Sequence, residues 1–186
     1  TRFRNVTGVQ TCALPISQAP LAPAPLAPAA VAPQSGPYSV CYAISTSDDP
    51  LGSYYRYEFL RPLFPDYPRP AIWPDGYYVP SSTGDEVIEK HACVVQRDAM
   101  LKGRPAREQC FVINNVNFLN NADVDGTQLP PRGAPNVMLA AGGTQLKKIF
   151  DDDAILSWKM FTSWSDVAKS DRKSTRLNFS HVSESR

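Results

Sequence analysis

Four carboxylates, Glu58, Asp66, Asp75 and Asp85, lie among or beside the aromatic residues of the stretch 54–85. Glycoside hydrolysis needs two carboxylates flanking the scissile bond, and aromatic rings suit the faces of a sugar. Asp66 and Asp75 are the candidates for a catalytic acid or base. Each also has a plain turn explanation: Asp66 follows Pro65, and Asp75 sits in Pro74-Asp75-Gly76. A second chemistry is cation binding. Asn121-Ala122-Asp123-Val124-Asp125-Gly126 matches the first half of a calcium loop, with Asn121, Asp123 and Asp125 as oxygen ligands. Arg132 stands where the bidentate Glu belongs, so an Asx-rich turn is the alternative. No cofactor is expected, calcium being the one that this motif would admit. The run Asp151-Asp152-Asp153, just after Lys147-Lys148, reads as a solvated loop. A Ser-His-Asp triad would have to use His91, which falls mid-strand as a packed or surface histidine. There is no nucleophile elbow and no Gly-rich phosphate loop.

The cysteines carry a firmer expectation. The hairpin 87–97 and 107–113 is centred near residue 101 or 102, and Cys93 and Cys110 are symmetric about that centre. Directly opposed residues of an antiparallel pair bring their Cβ atoms within about 4.5–5.5 Å. A Cys93–Cys110 disulfide is therefore expected, which fits an oxidising, exported location. Zinc is not: the cysteines and histidines lack paired ligand spacing.

The elements that position these residues are short strands. Tyr38–Thr46 is a strand by β-propensity, Ser47–Gly52 a turn, and Ser53–Phe59 an alternating strand with Tyr55, Tyr57 and Phe59 on one face. A Pro-rich corner follows over 61–70. Ala71–Trp73 and Tyr77–Val79 flank the turn at Asp75. Val87–Arg97 and Arg107–Ile113 enclose one helical turn, with Asp98 as its N-cap and Gly103 as its stop. A loop rich in Asn, Asp, Gly and Pro spans 114–135, and strands recur at 137–141 and 155–164. Eight or nine short strands at even spacing predict an all-β sandwich, barrel or propeller. The stretch 71–113 is a four-stranded meander of about one propeller blade.

Composition agrees. The 186 residues include 18 Pro, 8 Tyr, 8 Phe and 3 Trp, which favours strands and loops over helices. Nineteen Lys and Arg against 18 Asp and Glu leave no basic excess for nucleic acid. No apolar run reaches the ~18 residues of a membrane span.

Two terminal stretches resemble translated sequencing-adapter DNA: RNVTGVQTCALPIS within 1–17 and RKSTRLN within 171–186. Set aside, they take with them six basic and two acidic residues, leaving 13 against 16 and a net charge of −3 over 18–170. Residues 18–36 form a Pro/Ala-rich linker or loop; Gln18–Gln34 holds five prolines and no charge, suited to extended polyproline II. Residues 37–170 are the folded part. The chain is expected to be an internal piece of a longer protein, with any signal peptide outside it and Cys41 pairing outside it too.

Several stretches carry a family resemblance. Ser45–Phe59, Phe64–Pro68, Trp73–Tyr78, Arg97–Gly103, Gln109–Phe111, Asp123–Gly126, Leu129–Asn136 and Ser157–Phe161 resemble a family of large secreted bacterial β-propeller proteins, mostly uncharacterised. Separately, the turn within Thr46–Tyr54 looks like the inter-strand turns of sialidase-type and five-bladed glycosidase propellers, one residue off their usual spacing; there it is structural. The resemblance implies about two propeller blades of an incomplete ring. It implies secretion and a role in recognition or scaffolding, with a glycan, an extracellular protein and the remaining blades as partners. The alternative is a sialidase-like or five-bladed glycoside hydrolase.

Overall fold

The computed structural model describes residues 6–12, 37–83, 89–114, 116, 118–124, 126–142 and 154–178. The architecture is all-β, with antiparallel sheets, one of them curled into a half-barrel. Twelve strands are described: β1 (Val6–Cys12), β2 (Tyr38–Ser45), β3 (Tyr54–Arg61), β4 (Pro65–Asp66), β5 (Ala71–Trp73), β6 (Gly76–Thr83), β7 (Lys90–Val95), β8 (Glu108–Ile113), β9 (Asn120–Asn121), β10 (Asn136–Gly142), β11 (Ala154–Phe161) and β12 (Asp171–Asn178). They form three sheets: β1-β2-β3, then β4-β6-β7-β8 with β5 also on β6, then β12-β11-β10-β9. Both adapter-like ends hold strand backbone, β1 beside β2 and β12 beside β11, each at a sheet edge.

The inner strands of the middle sheet, β6 and β7, are buried on both faces. Tyr77, Val79 and Val95 pack with Val40, Tyr42 and Ile44 of the first sheet. Tyr78, Ala92 and Val94 face the other way and pack with Met138, Ala140, Trp158 and Met160 of the third. Alternation along β6 and β7 thus serves two cores, which is why every residue of β7 is buried. The sheets lie in three stacked layers.

The expected turns form for the expected reasons. Between β2 and β3, Leu51 N–H donates to Asp49 Oδ1 at 2.9 Å and Gly52 N–H to the Asp49 carbonyl at 3.1 Å. Trp73 pairs with Gly76 across the two-residue turn Pro74-Asp75. β6 runs further than the short strand expected there, passing through Pro80. Arg69 N–H donates to the Pro80 carbonyl, so the Pro80 nitrogen faces the same edge. That edge lies between the β5 pairing, which ends at Tyr78 of β6, and the β4 pairing, which starts at Ser82 of β6. The missing N–H therefore breaks no ladder bond.

The helical turn α1 (Arg97–Met100) is capped two residues earlier than expected. Its N-cap is Gln96, with no side-chain cap, and not Asp98. Hairpin closure sets this start, because Gln96 N–H is held by the Arg107 carbonyl at 2.9 Å. Asp98 lies in the first turn and pairs with Lys102 at 2.7 Å. Gly103 ends the turn at φ +65°, and a Cβ there would meet the Tyr55 ring at 2.5–2.8 Å. Gly103→Ala is expected to lose about 1–3 kcal/mol of stability in urea denaturation, from backbone strain and overpacking together.

Candidate functional site

Asp66 and Asp75 are not brought together. Asp66 pairs with Ser82 near one end of β6, and Asp75 lies in the turn before Gly76 at the other. Six residues of strand separate those ends, about 20 Å, beyond the ~5–9.5 Å of a glycosidase carboxylate pair. Asp66 is exposed. Asp75 is half-buried and receives the Tyr78 hydroxyl at 3.2 Å, while Thr162 Oγ1 lies 2.8 Å from that hydroxyl. Trp164 Nε1–H donates to the Asp75 carbonyl at 2.7 Å. Burial raises the Asp75 carboxyl above its ordinary range, and the Tyr78 hydrogen bond opposes this. Asp85 lies outside the described residues.

The calcium-like loop spends its side chains on neighbouring backbone. Asp123 Oδ1 accepts from Ile72 N–H at 2.6 Å and Val124 N–H at 2.9 Å. Asn121 Nδ2 donates to the Tyr78 carbonyl at 2.8 Å. Together these clip the 114–135 loop onto β5 and β6. Asp125 and the run 151–153 fall outside the described residues. His91 is buried on β7, with its Nε2 2.5 Å from Glu89 Oε1. Ser81 lies opposite it on β6, but the Ser81 hydroxyl makes no hydrogen bond to the ring, so no Ser-His-acid relay is formed there. A cavity of about 250 Å³ opens beside Ile113, Asn114, Trp158, Arg172 and Ser174; small-molecule sites more often run 300–1,000 Å³.

The disulfide is present. Cys93 and Cys110 pair directly across β7 and β8, with Cα atoms 4.1 Å apart and the sulfurs bonded. Next to it is a charged cluster with no precedent in the spacing of the sequence. Arg61, at the end of β3, reaches from the first sheet into the second with a side chain only 3% exposed. Its Nη2 meets Glu108 Oε1 at 2.6 Å, and its Nη1 contacts Cys93 Sγ and lies 2.8 Å from Cys110 Sγ. Glu108 and both sulfurs lie within 4.8 Å of one another, which would suit a soft metal only with reduced thiols. The Arg61 cation already faces these atoms, so the arrangement does not fit a metal ion.

Burial pushes the Glu108 carboxyl up to about 7, with Arg61 pulling the other way. Burial, with help from Glu108, likewise raises the Tyr42 hydroxyl, and Arg61 opposes it. The Glu108 shift makes a pH prediction. The folded protein binds this proton more tightly than the unfolded chain, so the folded state is favoured most below the ordinary Glu value. Stability then falls as pH rises from about 4.5 to about 7, by roughly 3 kcal/mol at most. Denaturation midpoints at pH 5 and pH 8 should show the fall, and Glu108→Gln should flatten it. An unchanged slope in Glu108→Gln would refute the assignment.

A third arrangement lies on the surface. Tyr67 is 64% exposed and Phe118 51% exposed. The Arg69 guanidinium lies over both rings, 4.5 Å from the Tyr67 centroid and 4.9 Å from that of Phe118. Arg69 Nη1 also donates to the Leu119 carbonyl at 3.1 Å, which holds it in place. Tyr67 has φ +47° although a proline follows it. A bulky residue in that region is strained by about 1–3 kcal/mol, and a following proline restricts it further. The Pro-rich stretch 61–70 marked a corner, but neither the strain nor the long-range partner Phe118 was visible in it.

No protein-family model, curated protein or solved structure matches this chain.

Proposed function

We propose that this chain is part of an exported β-propeller protein that recognises an extracellular ligand, a glycan before a protein, through its exposed loops. The observation that carries this reading is the Tyr67–Arg69–Phe118 platform. Two exposed rings flanking a fixed guanidinium offer flat apolar faces and hydrogen-bond donors together, which suits a sugar ring with hydroxyl or carboxylate substituents. The backbone strain at Tyr67 is maintained on an exposed side chain, where packing alone gives no reason for it. The stacked sheets, with β5-β6-β7-β8 a four-stranded antiparallel meander and β9-β10-β11 three strands of a second one, support about two blades of a ring completed by further blades. The disulfide supports an exported location.

The test is binding to an array of immobilised glycans. Wild type should bind a restricted set, and Tyr67→Ala with Phe118→Ala should weaken that binding about tenfold or more. Equal binding by the double variant would remove the platform from the reading, and no binding to any glycan would turn it toward a protein partner. Tyr67→Gly is expected to hold or raise the denaturation midpoint, since glycine adopts this φ without strain, while losing the same binding. A loss of stability of more than about 1 kcal/mol would mean that the ring is structural.

The glycosidase alternative rests on the half-buried Asp75, whose raised carboxyl suits a general acid. Chromogenic glycosides separate the two readings. Turnover abolished by Asp75→Asn, with the fold intact, would favour the enzyme.

A further inference from the structure

The two cysteines of the disulfide live in different surroundings. Cys93, on the inner strand β7, is completely buried. Cys110 lies on β8, the edge strand of the middle sheet, and is exposed. Val112, on the same face two residues along, is exposed as well, so the first sheet does not cover this part of β8. Meanwhile the buried Arg61 guanidinium touches Cys93 Sγ and Cys110 Sγ from inside. Its Nη2 is held by Glu108, which fixes the fork in place.

We propose that the Cys93–Cys110 disulfide is a thiol-exchange site with a fixed direction: an external thiolate attacks Cys110 and expels Cys93 as a thiolate held by Arg61. In the step, the incoming sulfur forms a bond to Cys110 Sγ. The Cys93–Cys110 bond breaks, and its electron pair goes to Cys93 Sγ. The product is a mixed disulfide on Cys110 and a buried thiolate on Cys93, with no net oxidation. A second external thiolate attacking the mixed disulfide would release the oxidised small thiol and leave both cysteines reduced. Exposure decides the direction, because Arg61 faces both sulfurs. Charge decides the rate, because a cation beside a sulfur lowers its thiol pKa and a better leaving group departs faster. An ordinary structural disulfide with both sulfurs enclosed by apolar side chains would have neither feature. The ligand is a small thiol or dithiol, and the site is independent of the recognition platform.

The test uses the full chain in native buffer with reduced glutathione as the probe. Samples are quenched with acid at low conversion, alkylated, digested and mapped by mass spectrometry. The glutathione adduct is expected on Cys110 and the alkyl group on Cys93, by at least about tenfold over the reverse. Arg61→Gln should slow exchange by on the order of tenfold, and Arg61→Lys, which keeps a cation, should restore much of the rate. Equal adducts on the two cysteines, adducts on Cys93, or no reaction without denaturant would each overturn the proposal. The regiochemistry is read on the wild-type chain, so it stands even if Arg61→Gln fails to fold. Exchange at an unchanged rate in a folded Arg61→Gln would remove the role of Arg61.

Discussion

Arg61→Met is expected to destabilise the protein by about 3–5 kcal/mol at pH 8, the usual cost of removing one partner of a buried ion pair. Arg61 and Glu108 are both nearly enclosed, at 3% and 10% side-chain exposure, and the pair joins the first sheet to the second. Without the guanidinium, the Glu108 carboxylate keeps its desolvation cost and loses its counter-charge. The expected loss is therefore pH-dependent. At pH 5 Glu108 is largely protonated, since burial already raises it to about 7 with Arg61 present. A neutral carboxyl beside methionine costs far less, so the destabilisation should shrink by more than half. Urea denaturation at both pH values, with the disulfide intact, measures this. A loss below about 1 kcal/mol, or the same loss at both pH values, would mean that solvent reaches the pair. A double replacement, Arg61→Met with Glu108→Leu, should recover most of the loss, because an apolar pair leaves no charge to desolvate.

The second large effect is at Tyr78. Its ring is completely buried and joins the second core to the turn that holds Asp75. Tyr78→Ala should cost about 3–5 kcal/mol through the cavity it leaves against Trp158 and its neighbours. Tyr78→Phe keeps the ring and removes only the hydroxyl, so about 1 kcal/mol is expected. The contrast between the two separates packing from the hydrogen bonds to Asp75 and Thr162. If Tyr78→Phe cost as much as Tyr78→Ala, the polar network and not the ring would be holding the second and third sheets together. Thermal melts and urea curves on both variants decide it.

Much of the local structure was legible before any coordinates. The β2–β3 hairpin, the turn at Pro74-Asp75 and the β7–β8 hairpin with its disulfide follow from alternation, turn residues and the symmetry of positions 93 and 110. These are short-range matters: the residues that decide them lie within about twenty positions of one another, so a linear reading captures them. Where that reading slipped, a hydrogen bond from outside the window intervened. Asp98 has the chemistry of an N-cap, but the bond from Gln96 to Arg107 sets the start of the helix. The strand expected over Tyr77–Val79 runs on through Pro80, because the gap between the β5 and β4 pairings absorbs the missing N–H.

The arrangements with functional weight came from further apart. Arg61 reads in sequence as the first residue of the Pro-rich corner, and only the stacking of the first sheet on the second buries it against Glu108, 47 residues away. Arg69 meets Phe118 only because the 114–135 loop is clipped back onto β5 and β6 by Asp123 and Asn121. Asp66 and Asp75 looked alike as turn carboxylates, and the length of β6 sets them apart. The sequence by itself determined β2, β3, β5 to β8, β10 and β11, the pairing within their hairpins and the disulfide, because alternation and turn chemistry act between near neighbours. The tertiary structure alone decided which charge is buried, which cysteine of the disulfide is exposed and which aromatic rings share a cation, because those depend on how whole sheets stack.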